Sequence, residues 1–260
     1  MRILTQVERT WEYLANDDPL WAICTDPQRK GCRWDIAEFK ASGEREIQTV
    51  LEYISKLGVD LNFAGSALDF GCGVGRLTQP LGKRFQSCYG VDISPTMIRL
   101  AQELNHDRPH CRFLLNEDAR LNSLLDNYFG FIYTSIVLQH IEEPYSHKYI
   151  AELLRVLKPG GVLVFQAPER LRASKITRVR IKLAVGARVR SILGPQKRYA
   201  MEMHCIKERV IRKLVVQSGA QVVDVQITNS CEPSFSGNLQ YLIHEPQTGY
   251  VSKQYCVIKQ

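Results

Sequence analysis

Residues 66–85 read SALDFGCGVGRLTQPLGKRF: an apolar run, an acid, three glycines at alternate positions, then a helix-like pattern. A run such as ALDF suits a strand buried on both faces of a parallel sheet. Glycines placed directly behind it let the backbone turn sharply and come close to a ligand. A helix starting there aims its free N–H groups at whatever lies above the strand. A strand that leaves through a crossover helix also needs parallel neighbours, so this stretch constrains the whole fold.

The rest of the chain supplies those neighbours. Short apolar runs alternate with helical periodicity from Ser66 onward, the pattern of βαβ units. SCYGVDI (87–93) reads as a second strand, followed by a helix over SPTMIRLAQEL with Ser94 as N-cap and Pro95 at its first position. CRFLL (111–115) and FGFIYTSI (129–136) read as strands three and four. Ile150, Leu153, Leu154 and Leu157 mark a helix that stops at Lys158-Pro159-Gly160, and GVLVFQAP is strand five. Ile206, Val210, Ile211, Leu214 and Val215 mark a further helix ending at Gly219; QVVDVQI and YVSKQYCVIKQ are the last two strands. Pro80 breaks the local rule, because it removes a backbone donor early in the helix behind the glycines. It fits only if that helix starts late or kinks.

The chain has 260 residues, 45% of them hydrophobic, enough for one substantial core. We expect a single domain over 1–260: a helical preface at 1–65, a ligand-binding core at 66–168, a basic cap at 169–202 and a carboxyl-terminal helix and strands at 203–260. In the preface Ile36 to Leu57 looks helical, and Trp11, Trp21 and Trp34 read as buried anchors. No run of eighteen apolar residues suggests a membrane span, and acids interrupt the amino-terminal segment where a signal peptide is apolar. Eight cysteines are scattered without CxxC or zinc-site spacing, so we expect reduced thiols, no metal and a cytoplasmic setting. The net charge of +7 is local: ten Lys or Arg and no acid lie between Arg170 and Arg198.

The glycine turn admits two ligands. The dinucleotide fingerprint is G-x-G-x-x-G. Here the third glycine comes one residue early, Arg76 stands where that fingerprint has glycine, and Asp69 puts a carboxylate where a pyrophosphate would lie. A carboxylate there favours a ligand with a cationic end. At this point the D-x-G-C-G-x-G-R stretch resembles motif I of the class I S-adenosylmethionine-dependent methyltransferases. The likeness continues through Gly90-Val91-Asp92-Ile93-Ser94, Glu117-Asp118-Ala119, the SIVLQHI segment and LLRVLKPGGVLVF at 153–165, covering roughly residues 36–170 in order.

The resemblance implies a Rossmann-like α/β sandwich: a mostly parallel seven-stranded sheet with an antiparallel last strand and helices on both faces. It implies S-adenosylmethionine as cofactor, with S-adenosylhomocysteine as product. Asp69 and the turn of Gly71, Gly73 and Gly75 would face the methionine part; Asp92 would hold the ribose hydroxyls; Ile93 and Met97 would pack on adenine. Asp118 takes the adenine amino group beside the Ala119 N–H, or else caps a following helix. Ser135 lies where cofactor and acceptor meet.

Methyl transfer from a sulfonium needs alignment and exclusion of water. A hydroxyl acceptor also needs a base, and His140 is the first candidate, with a wall residue as its other reading; Glu142, Glu143 and His204 are lesser ones. Thr134-Ser135-Ile136-Val137 lacks the D/N-P-P-Y/F signature of enzymes that methylate nucleic-acid amines. The carboxyl end is loosely similar to enzymes acting on sugars and secondary metabolites, and that resemblance implies O-methylation of a small molecule, a sugar or a glycan-like acceptor. The alternatives are a methyltransferase-like binding module, or an enzyme for RNA or another anionic partner that uses segment 170–198. That segment also suits a carrier-bound or acidic acceptor, peripheral membrane contact, or merely a solvated cap.

Overall fold

A computed structural model describes residues 2–172 and 201–260. Its sheet has eight strands: β1 (Ser66–Phe70), β2 (Ser87–Asp92), β3 (Cys111–Leu115), β4 (Phe129–Thr134), β5 (Leu157–Arg172), β6 (Ala220–Thr228), β7 (Tyr241–Leu242) and β8 (Gly249–Lys259). They lie in the order β3-β2-β1-β4-β5-β8-β6-β7. The first five are parallel, and β8 enters antiparallel between β5 and β6. The order reverses between β1 and β4, the switch point where open α/β sheets hold ligands beyond the carboxyl ends of their strands.

The helices are α1 (Arg2–Asp17), α2 (Pro19–Ile23), α3 (Ile36–Lys56), α4 (Thr78–Gly82), α5 (Pro95–Leu104), α6 (Tyr145–Val156) and α7 (Glu208–Gln217). Alternation along the strands divides the core between two layers of them. Leu68, Leu163 and Phe165 pack with Ile150 and Leu153 of α6 and with Ile211 and Val215 of α7. Ala67, Val162 and Val164 pack on the other face with Ile47, Val50 and Ile54 of α3 and Leu81 of α4. A third cluster joins Leu14 and Ala15 of α1, Ala22 of α2, Trp34 and Phe39 to Val74 of the glycine turn and Met97 of α5. The helical preface is thus tied down over the strand ends.

The sandwich has one strand more than the seven expected. The extra one, β7, is two residues long and pairs Tyr241 and Leu242 with Thr228 and Ile227 of β6. The helix behind the glycines starts late, at Thr78, so Pro80 falls within its first turn. The first four N–H groups of a helix have no intrahelical partner, so the missing donor costs nothing there. Leu157, which continues the apolar spacing of α6, caps that helix and turns extended (φ −71°, ψ 132°) to begin β5. β5 also outruns GVLVFQAP: Arg170 and Arg172 still pair with Val251 and Gly249 of β8. Both arginines are spent on Glu245. The remainder of the basic segment, from 173 to 198, lies outside the described residues. All eight cysteines are free thiols.

Candidate active site

A cavity of about 330 Å³ opens above the carboxyl ends of β1, β2 and β4. Its floor is the glycine turn. Gly71 sits at φ +75°, and a Cβ there would stand 2.3 Å from Val137 Cγ2; at Gly73 (φ +52°) it would stand 2.5 Å from Ile23 Cδ1. Nothing larger than glycine fits between the turn and the residues above it. The turn's donors are used internally. Gly71 and Cys72 N–H both reach the Val91 carbonyl at 2.8 and 3.0 Å, and Gly75 N–H reaches Cys72. Gly73 N–H donates to Asp92 Oδ2 at 2.8 Å. With these four groups occupied and α4 delayed to Thr78, the turn is a close-fitting floor.

Asp92 ends β2 at the cavity wall. Oδ1 accepts from Ser94 N–H at 3.0 Å and Oδ2 from Gly73. A carboxylate has about four lone-pair sites, so at least one remains for a ligand. Burial raises its pKa, and the backbone donors Ser94, Gly73 and Ile93 oppose that rise. Ile93 and Met97 line the same wall, with Met97 held by its N–H to Ser94 Oγ. Ser135 lines the cavity too, its Oγ buried without a hydrogen bond.

Four expected residues lie off this wall. Asp69 is 1% exposed, and its Oδ2 accepts from Thr78 Oγ1 at 2.6 Å. Burial pushes its pKa up to about 7, against the Thr78 hydrogen bond and the Arg76 charge. A Cβ on Gly75 would meet Asn105 and Phe113, away from the cavity. Asp118 is exposed, no helix follows it, and its Oδ2 accepts from Asn122. Ala119 packs against the core.

His140 lines the cavity, its ring edge against Trp11 at 5.2 Å between centroids. Nδ1 lies 2.7 Å from the Glu202 carbonyl, which can only accept, so Nδ1 carries the proton. Nε2 therefore bears the lone pair, toward Gln139 Nε2 at 3.0 Å. Burial lowers the His140 pKa to about 4, in spite of the Glu202 hydrogen bond. Glu142 is exposed, Glu143 pairs with His147, and His204 faces Glu202 at 3.8 Å; none of the three reaches the wall.

Several wall residues escape a reading of sequence. Trp11 belongs to the wall, along with Val7 of α1 and Ile23 of α2, whereas Trp34 is a buried anchor. Arg76 was legible only as a break in the dinucleotide fingerprint. Its guanidinium is buried against Glu46 at 2.7 Å, and its Nε has no partner. Met201, Met203, Cys231, Pro233, Phe235 and Tyr250 come from distant segments that topology brings over β4 and β5.

Residues 68–165, which build this floor and its flanking strands, match the family described as methyltransferase domain. This segment is similar to that domain along its whole length. The curated relatives include 2-methyl-6-phytyl-1,4-hydroquinone methyltransferase of Synechocystis sp., 32% identical over 45% of this chain and 38% of that protein. Trans-aconitate 2-methyltransferase of Variovorax paradoxus is 30% identical over 52% of this chain and 50% of that protein. The matches thus span half or less of the length of these two relatives. Among solved structures, magnesium protoporphyrin IX methyltransferase from Synechocystis with bound SAH superposes with a TM-score of 0.53 at 18% identity, over 87% of this chain and 89% of that one. That likeness speaks for the fold. The cavity lies at the sheet's switch point, and among the described residues no helix is long and apolar enough to cross a membrane.

Proposed function

We propose that the chain is an S-adenosylmethionine-dependent methyltransferase that methylates a hydroxyl of a small, largely apolar acceptor. The observation that carries this reading is one continuous cavity joining Asp92, Ile93 and Met97 at one end to His140 among apolar side chains at the other. The residues fit the cofactor. Asp92 keeps a free lone pair for a ribose, Ile93 and Met97 suit an adenine face, and the partnerless Nε of Arg76 suits a carboxylate. When bound, S-adenosylmethionine supplies a methyl group on a positively charged sulfur.

The chain's own residues do the rest. The glycine floor and Ile23 enclose the site and exclude water. His140 Nε2, unprotonated at neutral pH, receives the acceptor's proton once the acceptor hydroxyl displaces the Gln139 amide from its lone pair. Val7, Trp11, Met201, Met203, Pro233 and Phe235 offer apolar contact and few hydrogen-bond partners. A sugar ring buried there would leave hydroxyls unpaired, at roughly 1–3 kcal/mol each. An apolar phenol or similar alcohol loses little, in keeping with the hydroquinone for which the Synechocystis relative is named. A polyanion such as trans-aconitate finds only Arg76 as a cation on the described wall, and Arg76 is already paired.

Isothermal titration with S-adenosylhomocysteine tests the cofactor half. We expect binding by the wild type and at least tenfold weaker binding by Asp92→Ala, which loses hydrogen bonds to a charged acceptor worth roughly 1.5–3 kcal/mol each. Methyl transfer from labelled cofactor to apolar phenols, against sugars and polycarboxylates, tests the acceptor half. Failure to bind S-adenosylhomocysteine overturns the whole reading; transfer to sugars alone overturns the acceptor class.

A further inference from the structure

A chain of hydrogen bonds crosses the roof of the cavity and ends on His140, and backbone groups fix both of its ends. At one end Ile136 N–H donates to Gln166 Oε1 at 3.0 Å. A backbone N–H can only donate, so Gln166 presents its NH2 group the other way, to Ser252 Oγ at 2.8 Å and Cys231 Sγ at 3.2 Å. The sulfur, already accepting, turns its S–H to Gln139 Oε1 at 3.2 Å. Gln139 then has only its NH2 group for His140 Nε2, at 3.0 Å. At the other end the Glu202 carbonyl can only accept, from Nδ1–H. Each group thus has one polarity consistent with its neighbours.

The orientation of Gln139 decides the charge of His140. With Nδ1–H committed to Glu202, an NH2 group on Nε2 requires the neutral ring. A reversed amide, with its carbonyl on Nε2, requires a second ring proton and so an imidazolium. We infer that Cys231 is a positioning residue for His140: its donated S–H holds the Gln139 amide in the orientation that keeps Nε2 free of a proton. Cys231 touches neither ring nitrogen and acts only through Gln139. Burial, which pushes its pKa up to about 12, keeps the thiol protonated for that task. Ile136 holds the far end at φ +55°, a costly conformation for a β-branched residue, at the close of β4. The other titratable groups nearby are His204, which disfavours a charge on His140, and Cys205 and Tyr250 near the thiol.

The use of the unprotonated Nε2 as a base rests on the proposed methyl transfer; the control of its proton does not. The test is therefore an NMR titration of the His140 ring in the full chain without acceptor, with S-adenosylhomocysteine affinity measured in parallel. Wild type should titrate near 4. Cys231→Ala frees Gln139 to reverse and should raise proton affinity by roughly tenfold, the worth of one hydrogen bond. Cys231→Ser, which still donates and accepts, should titrate as wild type. Gln139→Met has no amide to reverse, so adding Cys231→Ala to it should change nothing. The inference is overturned if folded Cys231→Ala keeps the wild-type midpoint, if serine shifts it as far as alanine does, or if the alanine effect survives in the Gln139→Met background. Absence of cofactor binding or of turnover would count against the methyltransferase reading and leave the titration result standing.

Discussion

Asp69 and Asp92 stand near the ends of neighbouring strands, and their surroundings assign them different work. Asp92 receives two backbone N–H groups and faces the cavity. Asp69 has the Thr78 hydroxyl and lies sealed below the turn. With a folded pKa of about 7 against an ordinary value of 3.8, Asp69 keeps its proton in the folded protein after the unfolded chain has lost it. Its contribution therefore favours folding at low pH and is lost as pH rises from about 4 to about 7, at about 1.4 kcal/mol per pKa unit. Asp69→Asn should remove that decline, so the unliganded variant should unfold at higher denaturant than wild type at pH 8 and show little difference at pH 4. A variant less stable than wild type at pH 8 would show that the ionised carboxylate is needed by the fold. At this scale the sequence exposes only what is local. Gly71, Gly73, Asp92 and Met97 are legible because a strand, a turn and a capped helix place them without help. Cys231 and Met203 lie beyond β5 with no periodicity or motif around them, and only the sheet order brings them to His140. Asp69 shows the opposite failure: the right residue type one layer too deep.

Among the elements, β1 and β4 are the most legible because they are buried on both faces and read as apolar runs, and the half-buried edge strand β3 is legible from its own short apolar run. β1 and β3 keep the limits expected of SALDF and CRFLL. β7 has only two residues and owes its existence to pairing with β6, which no local pattern announces. The preface was legible as helix and silent about its attachment. Glu12 of α1 reaches the start of α5, accepting from Ser94 Oγ at 2.6 Å, from Thr96 N–H at 3.1 Å and from the Thr96 hydroxyl. Burial raises the Glu12 pKa, but these hydrogen bonds outweigh it and leave a net lowering. A negative charge at a helix N-terminus is favourable in its own right. The latch is thus present above the ordinary glutamate pKa and is lost as pH falls through the lowered one. Glu12→Ala should loosen α1 while the sheet stays intact, since hydrogen bonds to a charged group contribute roughly 1.5–3 kcal/mol each. Amide exchange should quicken at least tenfold in α1 and remain unchanged in β1 and β4. Equal exchange in α1 of the two proteins would mean that Leu14 and Ala15 hold the helix alone.

Across the whole molecule, the positive excess is concentrated in one stretch of the sequence. Segment 170–198 carries ten cations in a chain of net charge +7, so the remainder is slightly acidic. The two of those cations seen in β5 share Glu245, and Arg170 also pairs with Glu169. Inside, one charged pair joins three layers. Arg76 of the glycine turn binds Glu46 of α3 at 2.7 Å, Tyr133 of β4 donates to the same carboxylate at 2.9 Å, and Arg76 Nη1 reaches Ser42 at 3.4 Å. Helix layer, sheet and cavity floor meet at side chains that are 2% and 0% exposed. A pair this deep is expensive to desolvate, and it adds little net stability while both members are present. Removing one member is different, because the other is left buried and uncompensated. Arg76→Met should cost roughly 3–5 kcal/mol in denaturant unfolding, since Glu46 would keep only the Tyr133 hydroxyl. Glu46→Gln combined with Arg76→Met leaves no charge behind and should recover much of that loss. Cofactor affinity separates the two roles of Arg76. If its free Nε serves the cavity, the double variant refolds the layers and still binds S-adenosylhomocysteine weakly. Recovery of both stability and binding in the double variant would assign Arg76 to the architecture alone.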